Sequence, residues 1–221
     1  TKAFIKFGLE SSKQVQSVER AFKGFVGNAS VVSKLFGELQ DFAAVTPFDL
    51  EGLLKSSRTL LGAGFKPTEL INSLQDISGV GAQLGVTSSA IERVTIALAK
   101  IKGQGKVTQR ELRAIFTAFP GFIPIKAIAD NIERFGGNTG KALKAVTAGG
   151  IKADEAVTAL LKGMEKFPGA ANALYSQSLT LAGSQETLRD RFQQVTRAAS
   201  DPTLNNLASN YRKAADDFKD Q

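Results

Sequence analysis

Short amphipathic segments closed by glycine recur along this 221-residue chain and constrain what it can fold into. The clearest of them occupies residues 46–65. Thr46 carries a hydroxyl that can cap a helix, Pro47 suits the first helical position, and Asp49 places a negative charge where the helix dipole favours it. Leucines follow at spacings close to one helical face, and Gly62 stops the pattern. The stretch therefore predicts a helix that begins at Pro47 and buries one face.

The same pattern, without convincing strand alternation, predicts an all-α chain. We expect about nine or ten short-to-medium helices joined by Gly-rich connections. The eleven candidate helical segments are residues 2–25, 31–42, 47–62, 67–78, 88–102, 109–119, 124–135, 141–147, 154–167, 186–199 and a last one from 202. Asn28 or Ser30 caps the second helix, and Thr108 with Glu111 has the spacing of a capping box. We expect the glycine-rich run 79–85 to fray. Short connections favour a bundle of neighbouring helices.

Three regions are expected along the chain. Residues 1–30 form a helical lead-in, and residues 31–190 form the main helical domain. Residues 191–221 form a C-terminal helical arm, because this part has fewer large apolar side chains and can extend away from the bundle.

The composition excludes several kinds of chemistry. The sequence has no Cys and no His, which removes thiol catalysis, disulfides, zinc sites of the usual kind and histidine bases. Asp154 and Glu155 are carboxylates at a predicted helix start, where they stabilise the dipole. The glycine-rich stretches 79–85 and 136–140 lack the Gly-Lys-Ser/Thr ending of a phosphate-binding loop. We therefore predict no catalytic residue, no metal site and no cofactor.

The net charge of +7 includes a cluster of cations around one predicted helix–loop–helix. Its members are Lys100, Lys102, Lys106, Arg110 and Arg113. Glu111 is the only acid among them. The cluster is a candidate surface for an acidic partner or nucleic acid, and the alternative is a solvated hairpin.

A phenylalanine-rich corner follows the basic cluster. Phe116, Phe119, Phe122 and Ile123 can either contact a membrane or form a buried corner of the bundle. No N-terminal signal pattern and no transmembrane stretch are recognisable in the sequence. For the phenylalanine-rich corner, burial within the bundle is therefore a better explanation than membrane contact.

Several pieces of the sequence, in order, resemble the tape measure domain of bacteriophage tail length-determining proteins. The resemblance covers about residues 31–190. The pieces are residues 39–54, 60–65, 96–112, 150–164, 178–183 and 188–190.

The resemblance implies a structural role in a virion tail rather than an enzyme. Such proteins lie in the tube lumen or at the tip, set tail length, and are released ahead of the DNA during genome ejection. The implied partners are the tail tube protein, tail tip or baseplate proteins, tail assembly chaperones in the host cytoplasm and other copies of the chain. Transient contact with DNA or the host membrane is also implied, and no cofactor is.

Two departures from the family pattern indicate how much of a tape measure protein this chain represents. Family members are usually much longer, whereas this chain as one continuous helix would reach about 330 Å. No peptidase or muramidase motif is recognisable either. We therefore expect a fragment, with the ruler rod outside it. The alternatives are a membrane-active helical domain acting in genome delivery or pore formation, and an enzyme using carboxylates.

Overall fold

A computed structural model of the chain describes residues 20–44, 46, 48–178 and 190. Residues 20–26 are helical, and the later elements are α1 (Ala29–Ala44), α2 (Leu50–Gly62), α3 (Pro67–Gln83), α4 (Ser88–Gln104), α5 (Gln109–Ala118), α6 (Pro124–Asn131), a 3-10 turn (Glu133–Phe135), α7 (Thr139–Thr147), α8 (Ala153–Glu165) and α9 (Ala170–Ser178). Within these residues there is no strand, only an isolated bridge between Lys106 and Lys152. The all-α prediction is confirmed.

Helix α2 begins later than predicted, at Leu50 rather than at Pro47. Asp49 is its N-cap, and its carboxylate accepts a hydrogen bond from the third amide of the helix at 2.7 Å. The Thr46 hydroxyl instead donates to the carbonyl of Phe42 at 2.8 Å. The prediction that Thr46 caps α2 is wrong, because a threonine just after a helix can also donate back to the carbonyl four residues earlier.

The glycine-rich run 79–85 does not fray where predicted, since α3 continues through it to Gln83. Gly79 lies where α3 meets the start of α9. A Cβ on Gly79 would come within 3.0 Å of the Ala170 carbonyl oxygen. The helical cost of a glycine, about 1 kcal/mol, is offset here by close packing that no larger residue allows.

Several predicted helix starts are confirmed. The Asn28 side chain accepts hydrogen bonds from the amides of Ser30 and Val31, at 2.9 and 3.3 Å, and so caps α1. Thr108 is the N-cap of α5. Its hydroxyl accepts from the Arg110 amide at 3.3 Å and donates to the carboxylate of Glu111. The predicted N-cap is therefore confirmed, but Glu111 bonds the Thr108 hydroxyl rather than the Thr108 backbone amide, so the reciprocal bonds of a capping box are not formed.

One hydrophobic core connects the described helices. Helix α3 packs against α8 and α9, α4 packs against α2, α5 and α8, and α6 packs against α8. The fully buried side chains come from every part of this arrangement and include Phe22, Leu39, Leu53, Leu74, Leu98, Ile115 and Leu160. Helices α3, α4 and α8 are therefore the centre of the bundle.

Helices α6 and α8 approach each other closely at Gly163. A Cβ on Gly163 of α8 would overlap the Ala127 Cβ of α6 and lie 3.2 Å from the Ala127 Cα. Beside it, Asn131 donates to the Ala127 carbonyl at 2.9 Å and accepts from the Lys166 ammonium at 2.9 Å. Two small residues thus let the two backbones meet.

Some predictions lie outside the described residues. They are most of the helices over 2–25 and 186–199, the helix from 202, and the C-terminal arm over 191–221.

Candidate partner-binding groove

The connection between α4 and α5 has a fixed backbone geometry. Helix α4 is capped at its C-terminal end by Gly105, which adopts the left-handed conformation with φ of 75° that glycine favours. The Gly105 carbonyl accepts a hydrogen bond from the Ala153 amide at 3.0 Å, and the Val107 amide donates to the Ile151 carbonyl at 3.4 Å. These bonds attach the α4–α5 connection to the segment between α7 and α8.

An open groove of about 440 Å³ lies between α4 and α5. Its apolar lining consists of Ile96, Ala97, Ala114 and Ala118, and its basic lining consists of Arg93, Lys100, Arg110 and Arg113. Ile96 is 37% exposed and Ala114 is exposed too, so these two side chains are accessible to a partner, whereas Ala97 and Ala118 are buried. We call this surface the α4–α5 groove.

The groove has more positive than negative charge available to a ligand. None of its four cations forms an ion pair with another residue that the structure describes. Its one acid, Glu111, is only 2% exposed, and its carboxylate accepts the hydrogen bond of the Thr108 hydroxyl. Unpaired cations on the walls of a concave surface attract anionic groups.

The structure brings together three of the five cations singled out in the sequence, namely Lys100, Arg110 and Arg113. Lys102 lies elsewhere, with its ammonium 2.8 Å from an Asp154 carboxylate oxygen and 5.0 Å from the centre of the Phe65 ring. The hydrogen bond from Lys102, together with its charge, lowers the pKa of Asp154. Lys102 therefore takes part in a structural ion pair.

Lys106 is also separate from the groove. It lines a depression of about 340 Å³ with residues of the α7 end, and its side chain lies against Gly149. The five-residue cluster is thus divided among three surfaces.

Arg93 belongs to the groove and is absent from the sequence-derived cluster. It stands seven residues before Lys100 on α4. Residues seven apart lie two turns apart on one face of a helix, so the spacing itself could have identified Arg93.

The carboxylates at the start of α8 have structural partners. Asp154 pairs with Lys102, and a Glu155 carboxylate oxygen lies 2.9 Å from a guanidinium nitrogen of Arg134. No group of three or more Asp and Glu side chains with metal-binding geometry occurs among the described residues. Asp154 and Glu155 lie in the first turn of α8, as the sequence predicts, and each pairs with a cation of another element.

A second depression, of about 590 Å³, lies between α3 and α8 and contains charges of both signs. Asp76 of α3 is half-buried there. Burial, and then the negative charge of Glu165 on α8, raise the pKa of Asp76 to about 6. Lys162 and Lys102 line the same depression, so its field is mixed rather than uniformly basic.

The phenylalanine-rich corner is divided between core and surface. Phe119 and Phe122 are buried in the core, whereas Phe116 and Ile123 are 49% and 50% exposed. No described helix has the length and apolar character needed to span a bilayer. The membrane-active alternative gains no support from this arrangement.

The described residues form an all-α bundle with a basic groove between α4 and α5. A family model described as tape measure protein matches residues 7–201. Because the match covers most of the sequence, the chain belongs to the tape measure protein family and is a structural component of a bacteriophage tail. No curated protein and no solved structure gives a significant match.

Proposed function

We propose that this chain is the folded docking part of a tape measure protein, which determines tail length together with the tail tube and tip. The family match over residues 7–201 is the observation that carries this proposal. The proposed partners are the tail tube protein, tail tip or baseplate proteins, tail assembly chaperones and further copies of the chain. The proposed location is the tube lumen or tip, after assembly in the host cytoplasm.

The helix lengths support docking rather than measuring. The longest described helices, α3 and α4, have 17 residues each and so span about 26 Å. The helices fold back on one core, so the bundle adds little length per residue compared with a continuous rod. We therefore assign the ruler's length to residues other than this bundle.

A bond between distant parts of the chain supports a single domain over residues 31–190, with a lead-in before it and an arm after it. The Asp190 carboxylate accepts a hydrogen bond from the Leu50 amide at 2.9 Å. Asp190 is 1% exposed and lies 140 positions from Leu50, within the family match. A negative charge at the start of α2 is also favoured by the helix dipole.

Release during genome ejection is part of the same proposal. Helices of 8 to 17 residues depend on tertiary packing more than on intrinsic propensity. Pulling one helix away from the bundle would therefore destabilise the rest, which suits a protein that must leave through a narrow tube. Measuring the unfolding force of the domain by optical tweezers tests this part, and high mechanical resistance would contradict it.

Deleting codons 29–190 in frame from the gene that encodes this chain tests the docking role. We expect electron microscopy to show no tails or tails of irregular length, with complementation by the intact gene as the control. Tails that are uniform but shorter by up to about 240 Å would instead identify a passive ruler segment. Unchanged, infectious particles would overturn the proposed function.

A further inference from the structure

We infer that the α4–α5 groove binds an acidic amphipathic α-helix of a partner protein. The inference rests on the proposed function, because it assigns one partner contact of the docking domain to a specific surface. Three features of the groove support it: its shape, its apolar lining and the placement of its charges.

The shape of the groove suits a helix. Adjacent helices leave a channel in which the side-chain ridge of a third helix can pack, and amphipathic helices recurrently bind in such grooves. The accessible apolar lining, at Ile96 and Ala114, matches the apolar stripe of such a helix.

The cations are spaced for a helical ligand. Arg93 and Lys100 are seven residues apart on α4, which corresponds to about 10 Å along that wall. Arg110 and Arg113 lie one turn apart on the α5 wall. Because all four lack an acidic partner among the described residues, Asp or Glu on both sides of an apolar stripe would supply complementary charge.

Nucleic acid fits the same surface less well. No aromatic ring lines the groove for base stacking, and its alanines and isoleucine offer no polar contact to a sugar or base edge. The lining is therefore better suited to an apolar helical face than to a nucleic-acid backbone.

Fluorescence anisotropy with the full chain tests the inference. The probe is a labelled peptide of three Leu-Glu-Glu-Leu-Leu-Glu-Lys repeats, and its control is a peptide of the same composition with the leucines dispersed around the helix. We expect the amphipathic peptide to bind more tightly than both the dispersed peptide and a labelled DNA duplex. No binding of the amphipathic peptide, or equal binding of either control, would overturn the inference.

Charge reversal assigns the binding to the groove. We expect the double variant R110E/R113E to bind the amphipathic peptide at least about tenfold more weakly. The matched control is K141E/K144E, which makes the same charge change at exposed positions with the same spacing on α7 and should alter binding less than about twofold. Equal losses in both double variants would show non-specific attraction and overturn the inference.

A second pair on the other wall, R93E/K100E, keeps the test decisive if R110E/R113E does not fold, as judged by circular dichroism. The failures of the two proposals are distinguishable. Normal tails after deletion of residues 29–190 would refute the proposed function, regardless of whether the peptide binds. Defective tails after that deletion, together with unchanged peptide binding by R110E/R113E and R93E/K100E, would remove the groove assignment alone.

Discussion

The α6–α8 contact and the α4–α5 groove are both places where two helices meet, but they differ in what fills the space between them. At the α6–α8 contact, Gly163 and Ala127 bring the backbones together. In the α4–α5 groove, small residues and four long cations line about 440 Å³ of open space.

The difference shows how one bundle separates stability from recognition. A close contact between small residues gains dispersion energy and leaves no room for a ligand. Exposed cations contribute little to stability because water solvates them, and they remain available for a partner. We therefore expect substitutions at the α6–α8 contact to change the free energy of unfolding, and substitutions in the groove to change binding.

Substitution of Gly163 by Ala should have the largest effect. The new Cβ would overlap α6, so we expect a loss of about 2–3 kcal/mol in the free energy of unfolding, measured by urea denaturation. The matched control is Gly103→Ala near the end of α4, where a Cβ meets nothing within 4 Å. That variant should gain about 0.5–1 kcal/mol. Similar effects in both variants would show that the α6–α8 contact does not require a glycine at position 163.

Substitution of Asp190 by Ala tests whether a buried polar contact stabilises the bundle, as the close packing of small residues at the α6–α8 contact does. Its loss leaves the Leu50 amide without this acceptor, and we expect a cost of about 1–2 kcal/mol in urea denaturation. Asp41→Ala, at an exposed position on α1, is the control and should change stability by less than about 0.5 kcal/mol. Equal stability of the two variants would mean that Asp190 does not secure the start of α2.

Asp76 at the α3–α8 depression is intermediate between the buried α6–α8 contact and the exposed groove cations, because its side chain is half-buried. Its pKa rises from 3.8 to about 6 on folding, so the folded state binds the proton more tightly than the unfolded state. Its ionisation therefore costs stability above pH 6, and this cost disappears as the pH falls from about 6 towards 4.

We expect Asp76→Asn to be more stable than the parent by about 1 kcal/mol at pH 7, a value reduced for the partial exposure of the side chain. At pH 4 the difference should be smaller. Thermal denaturation at both pH values checks this, and an advantage that is larger at pH 4 would contradict the assigned direction.

The R110E/R113E double variant should have the smallest effect on stability. Both side chains are exposed, and neither forms an ion pair with a described residue, so we expect a change within about 0.5 kcal/mol by urea denaturation. A loss above about 1 kcal/mol would show that the groove cations stabilise the fold, and the contrast between the two helix contacts would no longer hold.

Most of the helical architecture could be predicted because its signals are local. Pro67 at the start of α3, Asn28 before α1 and Gly105 after α4 each act through hydrogen bonds or dihedral preferences within a few residues. The errors at Thr46 and at residues 79–85 arise where a second local bond or a distant helix competes with these signals.

The candidate site was predictable only in part. Lys100, Arg110 and Arg113 are close in sequence and remain close in the structure. Lys102 differs from Lys100 by only two positions, but a two-residue step on a helix turns the side chain by about 200°. It therefore faces Asp154 of α8, and that ion pair cannot be inferred without knowing where α8 lies.

By itself, the sequence determined the helical class, most helix boundaries, the absence of thiol and imidazole chemistry, and the resemblance to the tape measure family. Tertiary structure alone decided that Gly163 meets Ala127, that Asp190 accepts a hydrogen bond from the Leu50 amide, and that Arg93 lines the same groove as the α5 cations. The reason is physical: periodicity and capping act over about four residues, whereas these contacts join residues 17 to 140 positions apart, through the packing of the whole core.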